Sequence, residues 1–392
     1  MNDLQRDSAC PICASDALEA LHRQEFLLPG DLRTHYTVVA CERCGFTFAR
    51  DLPTPEEYER YYRTNLKYTY EGSRDAAQSL FAMHAPSFAM VDAWLREHPP
   101  GKESRILDIG CSTGELLALF QHGGYRHLEG VDPTPECADI ARRLYDLDVR
   151  TGVLSEIEGE PYDVVLLANV FEHIPNLRDA AHRVAALVKD GGVLFVQTPD
   201  AGHFGHELRE PFLELSIEHI NYFTATSLAN LLGRERLFLV AVQHDVTSYK
   251  GAKYPVVTAL WKKDANAPLP ELQRSDTSRV RGYIDESKAR LAELASKIDA
   301  LVASGEPVIV WGVGSLTARL LATTNLGNAN LVGFVDSNSG HHGKQLAGRE
   351  IAAPSSLADK RVTVFVSSFV YGEEIRRTLE NDMRYAGTVV TI

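Results

Sequence analysis

The sequence lacks any apolar run near the ~18 residues needed to cross a bilayer, so it does not read as an integral membrane protein. Its first residues, Met1-Asn2-Asp3-Leu4-Gln5-Arg6, lack the basic-then-apolar order of a secretory signal. Positive charge is also short. Lys and Arg number 40 against 53 Asp and Glu, and the net charge of -13 argues against non-specific binding to nucleic acid or anionic lipid. Cysteine is scarce, six in 392 residues, and without an export signal these do not read as a disulfide framework. Together these absences predict a reduced, cytoplasmic protein with no nucleic-acid or membrane partner. At about 100–200 residues per domain the length predicts two or three domains.

Four of the cysteines carry the first strong pattern. Cys10-Pro11-Ile12-Cys13 and Cys41-Glu42-Arg43-Cys44 are two C-x-x-C pairs. Each pair can place two thiolates on one turn, and two turns supply four sulfurs to a tetrahedral zinc. Gly45 suits the tight turn after the second pair. The 27 residues between the pairs predict a long hairpin, with Tyr36–Ala40 as a strand entering the second turn. A redox pair would follow a βαβ strand, which neither does. Four protein sulfurs leave no open position, so this zinc is expected to be structural. Cys111 and Cys137 read as small buried hydrophobes.

The middle of the chain alternates strand and helix signals. Leu80, Phe81, His84, Phe88, Val91, Trp94 and Leu95 recur at helical spacing, and Pro99-Pro100-Gly101 stops them. Arg105 to Ile109 is a strand, Gly110 to Gly114 a glycine-bearing turn, and Glu115 to Gln121 a helix. Glycines there let the backbone approach a ligand closely. A second strand, His127 to Val131, ends in Asp132-Pro133, 22 residues beyond Gly110, where a carboxylate takes ribose hydroxyls in doubly wound sheets. Tyr162–Ala168 and Gly192–Gln197 are further buried strands, and Leu237–Gln243 with Pro255–Trp261 reads as a closing antiparallel pair. This is the pattern of a parallel α/β sheet covered on both faces.

Residues 264–278 have the proline-rich, polar composition of a linker. Val280, Ile284, Leu291, Leu294, Ile298 and Leu301 then mark a helix. A second open α/β unit follows, with strands at Val308–Trp311, Asn330–Val335 and Val362–Ser367. It has its own glycine turn, Gly312-Val313-Gly314, and its own strand-end acid, Asp336. Without a third glycine at the expected place, this unit reads first as packing support that shapes the acceptor cleft, with a nucleotide site at Gly312–Gly314 as the alternative.

Leu107–Gly114, Gly130–Pro133 and Ala168–Ile174 together resemble class I S-adenosylmethionine-dependent methyltransferases. The resemblance implies that Asp108, Gly110, Ser112 and Gly114 hold the amino-acid end of the cofactor. It implies that Asp132 and Pro133 take the ribose and that Asn169 lines the methionine side. Carboxylates at strand ends suit a sulfonium better than a pyrophosphate, which prefers a bare helix N-terminus.

The whole order, with Glu218-His219-Ile220-Asn221-Tyr222-Phe223 after the core, resembles the sugar C-methyltransferases of deoxysugar biosynthesis. Their domains would fall at residues 1–56 (zinc module), 57–264 (tyrosine-rich helical segment and methyltransferase core) and 265–392 (linker helix and Rossmann-like unit). The resemblance implies a nucleotide-linked 4-keto-6-deoxysugar as the small-molecule acceptor. Ser216-Ile217 and Asp245–Gly251 depart from the family's tyrosine–histidine pair and His-Gly-Gly-Ser turn. An O- or N-methyltransferase on another sugar or natural product is the alternative, and a non-catalytic scaffold the rival class.

Methylating carbon beside a ketone needs a base for the α-proton and donors for the enolate. His219 is the expected base, since imidazole ionises near working pH. Glu218 is its expected neighbour, and Tyr222, Tyr68 and Tyr70 are the expected enolate donors. Glu172-His173 is left without a role.

Overall fold

The computed structural model describes residues 9–52, 74–205, 210–249 and 252–392. Near the N-terminus β1 (Leu18–Leu28) and β2 (Leu32–Cys41) form an antiparallel hairpin, and β3 (Thr47–Arg50) returns beside β2. The hairpin explains the long gap between the cysteine pairs. β2 ends at Cys41 and so delivers the second cysteine turn directly.

Helix α1 (Arg74–Glu97) stops just before the predicted Pro-Pro-Gly breaker. There follow β4 (Arg105–Ile109), α2 (Glu115–His122), β5 (His127–Asp132), α3 (Pro135–Tyr145), β6 (Val149–Thr151) and β7 (Tyr162–Ala168). Next come α4 (Leu177–Leu187), β8 (Val188–Pro199), β9 (Asn221–Tyr222), α5 (Ala225–Gly233), β10 (Leu237–Tyr249) and β11 (Ala252–Lys263). Seven of these strands form one sheet in the order β10-β11-β8-β7-β4-β5-β6. β11 runs antiparallel between β8 and β10, and the strands from β8 to β6 are parallel. Val164 to Leu167 are buried without alternation, as expected of a strand covered on both faces. The chain winds outward from β4 to β6 and then resumes at β7 on the other side of β4. Ligands bind at such a reversal, outside the carboxyl ends of the strands.

β10 and β11 extend beyond the pair expected at 237–243 and 255–261, because their distal halves continue as a two-stranded ribbon. β9 does not join this sheet. It pairs with β3, Asn221 opposite Phe48, and supplies the edge strand of the four-stranded sheet β1-β2-β3-β9.

The C-terminal part begins with α6 (Ser278–Ser304), which ends on Gly305 in the left-handed conformation, φ 64°. Then come β12 (Val308–Trp311), α7 (Ser315–Thr323), β13 (Leu331–Val335), β14 (Gln345–Leu346), β15 (Arg349–Ala352), β16 (Thr363–Val366), α8 (Gly372–Arg377) and β17 (Val389–Thr391). The sheet order is β14-β15-β13-β12-β16-β17, parallel except for β14.

The stretch expected as a linker, 264–278, is a docked strap instead. Gln273 exchanges hydrogen bonds with the Asn230 side chain at 2.6 and 2.9 Å, and the Ser275 N–H donates to the Cys44 carbonyl at 2.8 Å. Most of its side chains still face solvent, as the polar composition implies, but Ser275 is buried and the backbone at 273–275 is pinned to the body. Arg319 on α7 ties the C-terminal unit to the rest. It is 1% exposed, and its guanidinium donates to Gln24 Oε1 and to the carbonyls of Pro211, Phe212 and Leu215 at 3.0–3.2 Å. Every charge-bearing N–H named there has an acceptor, which is what makes a buried arginine tolerable.

Candidate functional site

The carboxyl ends of β4, β5 and β7 gather the predicted cofactor residues. Gly110 has φ 68°, and a Cβ there would meet Val170 Cγ2 at 2.5 Å, so glycine is required on two counts. Ser112 and Asn169 also adopt left-handed backbone, φ 50° and 57°. Non-glycine residues rarely do so, and such strain concentrates at ligand sites. Gly114, φ 86°, leads into α2.

Asp132 is buried at the end of β5. Its Oδ2 accepts the Ser112 N–H at 2.9 Å and its Oδ1 the Thr134 N–H at 2.8 Å. Each carboxylate oxygen keeps a further lone pair for a ligand. Pro133 sits within this turn, between β5 and α3. Asp108 is buried, and burial pushes its carboxyl well above the usual range, with the charges of Glu115 and Asp132 adding to it. Glu115, 4% exposed, is also raised by burial, and the Thr113 hydroxyl donates to it. Glu115 was not legible as a site residue, since an acid in the first helical turn reads as a dipole partner. The Asn169 N–H donates to the Gln197 carbonyl at 2.8 Å, while its side-chain Nδ2 is buried without a hydrogen-bond partner. Three crowded carboxylates and an unanswered amide fit a ligand that brings positive charge and an acceptor.

Beyond Asn169, the 171–174 turn is stitched to the 216–221 segment. The Ile220 N–H donates to the Glu172 carbonyl at 2.8 Å, and Asn221 Nδ2 donates to the carbonyls of Phe171 and Ile174, both at 2.8 Å. His173 Nδ1 lies 3.0 Å from the Glu218 carbonyl, so it carries the proton and donates, which leaves Nε2 as acceptor. The Ser216 hydroxyl accepts the N–H groups of Glu218 and His219 at 3.3 and 3.2 Å. Ser216 therefore builds the turn that presents His219, a use for the residue that departs from the family pattern. The His173 and His219 rings meet edge to face at 5.0 Å. Glu172, His173 and His219 bring their donor atoms within 4.8 Å of one another. Glu172 is 1% exposed, and burial raises its carboxyl to about 8. Burial therefore favours its protonated form. The sequence alone gives the Glu172-His173 pair no role, because the signal is the meeting of two distant segments.

Glu218 is 3% exposed and contributes its backbone carbonyl to His173. Tyr222, 2% exposed, lies among core side chains, its hydroxyl 3.4 Å from that of Tyr36, which in turn donates to the Ser216 carbonyl at 2.8 Å. It supports the His219 turn from behind. Tyr68 and Tyr70 lie outside the described residues. The thiols of Cys10, Cys13, Cys41 and Cys44 are brought together: Cys10 and Cys44 sulfurs are 3.6 Å apart, Cys13 and Cys41 sulfurs 3.4 Å, and all four lie within 4.8 Å of one another. Sulfurs on one ion at about 2.3 Å would be spaced similarly. Cys111 and Cys137 are buried singly.

Residues 84–236 match a family described as Methyltransferase domain, and residues 305–389 match one described as C2185-like, N-terminal. The chain is similar to the C-methyltransferase NovU of Streptomyces niveus, 26% identical over 330 residues, which are 80% of this chain and 74% of that protein. It is also similar to the ubiquinone biosynthesis O-methyltransferase of Xylella fastidiosa, 31% identical over 126 residues, 30% of this chain and 50% of that protein. Among solved structures, the Burkholderia thailandensis 1,6-didemethyltoxoflavin-N1-methyltransferase, bound to S-adenosylhomocysteine, aligns with TM-score 0.41 and 25% identity over 56% of this chain and 96% of that one.

Fold and site together define a class I methyltransferase domain. The protein is an S-adenosylmethionine-dependent methyltransferase. No helix among the described residues is long and apolar enough to cross a membrane.

Proposed function

We propose that the protein methylates carbon next to the ketone of a nucleotide-linked keto-deoxysugar. The reading is supported by the similarity to NovU over 80% of the chain. The observation that carries it is the Glu172–His173–His219 cluster, built on the turn that follows β7 and Asn169 at the carboxyl end of the sheet.

S-adenosylmethionine supplies the methyl group as a sulfonium electrophile. Asp108, Glu115, Asp132 and Asn169 hold its charged and ribose ends, and Gly110, Ser112 and Gly114 form the turn beneath. His219 takes the α-proton from the acceptor carbon. The C–H pair becomes the enolate, and the carbon then bonds to the methyl as the carbon–sulfur bond breaks. Burial favours the protonated form of Glu172, so little carboxylate charge stands beside the two rings. Tyr68 and Tyr70 donate to the enolate oxygen, and Glu218 and Tyr222 position the His219 turn. Cys10, Cys13, Cys41 and Cys44 hold a structural zinc that fixes the N-terminal sheet. The protein works in the cytoplasm.

The second reading is an O- or N-methyltransferase, favoured by Ser216-Ile217 and by the similarity to ubiquinone O-methyltransferases. Incubation with S-adenosylmethionine and a panel of nucleotide-linked 4-keto-6-deoxysugars tests the proposal by mass spectrometry. A product one methyl heavier, stable to O-demethylation, is expected. Turnover only of hydroxyl or amine acceptors contradicts it.

A further inference from the structure

A second cluster lies on the same edge of the sheet and takes no part in the scheme above. Asp200 immediately follows β8, His203 closes a single turn of 3-10 helix at Ala201–His203, and His244 comes from β10. Both rings point Nδ1 at one carboxylate oxygen. His203 Nδ1 lies 2.7 Å and His244 Nδ1 2.6 Å from Asp200 Oδ2. The rings stand 5.0 Å apart, tilted by 49°. All three donor atoms fall within 4.8 Å of one another.

We propose that Asp200, His203 and His244 bind a first-row divalent transition-metal ion. Two imidazoles and one carboxylate on one side of an ion are the donor set such ions take, with the remaining positions left open. Calcium and magnesium prefer oxygen donors throughout, so they fit less well. Donors about 2.0–2.2 Å from an ion in neighbouring positions are roughly 3 Å apart, so the ligands need only separate slightly. Each neutral ring moves its proton from Nδ1 to Nε2 to free the ligand lone pair.

The surroundings are those of a built site. Asp200 is 1% exposed, and its other oxygen accepts the Gly202 N–H at 2.9 Å, which fixes the direction of Oδ2. The two histidine side chains are 54% and 43% exposed, so the outer face of an ion would remain accessible. His244 also lines a cleft of about 510 Å³ with Ala85, Pro86 and Ala89 of α1. An oxygen-bearing small molecule held there would lie beside the ion. The site is independent of which atom of the acceptor is methylated.

The test uses the full-length protein with its cysteine-bound metal retained, dialysed against a mild chelator and titrated with Co²⁺. One added equivalent is expected, with visible d–d bands and no near-ultraviolet thiolate-to-cobalt band. Loss of a group that merely supports a metal ligand typically costs about 10–100-fold in affinity. His203→Ala and His244→Ala should each lose at least that much while melting within a degree or so of wild type, since both side chains are half exposed. Absence of saturable Co²⁺ binding overturns the proposal and leaves a hydrogen-bonded clasp between β8 and β10. So does binding that both variants retain, or a spectrum carrying only the thiolate band.

Discussion

The carboxylate of Asp132 accepts the backbone N–H of Ser112 at 2.9 Å, locking the cofactor turn after β4 to the end of β5. Asp336 repeats the contact in the C-terminal unit, where its Oδ2 accepts the Val313 N–H at 2.9 Å. The second anchor is repeated as well, Thr134 to Asp132 and Asn338 to Asp336, both at 2.8 Å. A strand-end acid in this chain therefore shapes the turn as well as facing any ligand.

That double duty changes what a substitution reports. Asp132→Ala removes the proposed ribose partner and orphans the backbone N–H groups of Ser112 and Thr134. S-adenosylhomocysteine binding should weaken about ten- to a hundredfold, and the melting temperature should fall with it. Asp336→Ala orphans the equivalent N–H groups in the other unit, and should lower the melting temperature without changing affinity. Calorimetry with thermal melts on both variants checks this. Unchanged affinity in Asp132→Ala would remove the ribose assignment.

The cysteine cluster predicts about one equivalent of tightly held zinc. Thiolate ligation couples the metal to folding of the hairpin sheet. Chelation or Cys41→Ser should expose the β1–β2 hairpin to proteolysis. Elemental analysis without zinc, or a Cys41→Ser protein with full metal content, contradicts the assignment.

Stability should depend on pH through two buried acids. Burial raises both Glu172 and Glu214 from 4.5 to about 8. A raised carboxyl binds its proton more tightly when folded. Its stabilising effect is complete below the unfolded value near 4.5 and is lost as pH rises to about 8. Each group should cost on the order of a few kcal/mol across that window. Glu214→Gln should flatten the decline in melting temperature between pH 5 and about 8, and Glu172→Gln should flatten it further. A profile equally steep in the double variant would show that these carboxyls are not the cause.

How far the sequence revealed this arrangement depended on the range of the signal. The cysteine turns, the Gly110–Gly114 turn and the Asp132 strand end were legible because each is a local pattern with a fixed chemical meaning. The core strands were legible because Val164–Leu167 and its neighbours are apolar on both faces. Residues 221–222 as an edge strand of the N-terminal sheet were not legible, since two residues carry no period. The 264–278 strap read as a linker because Asn230 and the Cys44 carbonyl, its partners, are remote in sequence. For the same reason neither the meeting of His219 with Glu172 nor that of Asp200 with His244 could be foreseen: each joins segments whose proximity only the fold creates.

Proton abstraction from carbon is the central claim, and solvent exchange tests it most directly. With S-adenosylhomocysteine bound, methyl transfer is blocked but the base remains. A nucleotide-linked 4-ketosugar bound in deuterated water should then take up deuterium at the carbon next to the ketone. His219→Asn should abolish the wash-in and lower turnover by roughly 10²–10⁴, with S-adenosylhomocysteine affinity unchanged. A ketosugar that binds wild type without exchanging, together with a His219→Asn protein active within a factor of about three, would contradict both the carbon nucleophile and the histidine base.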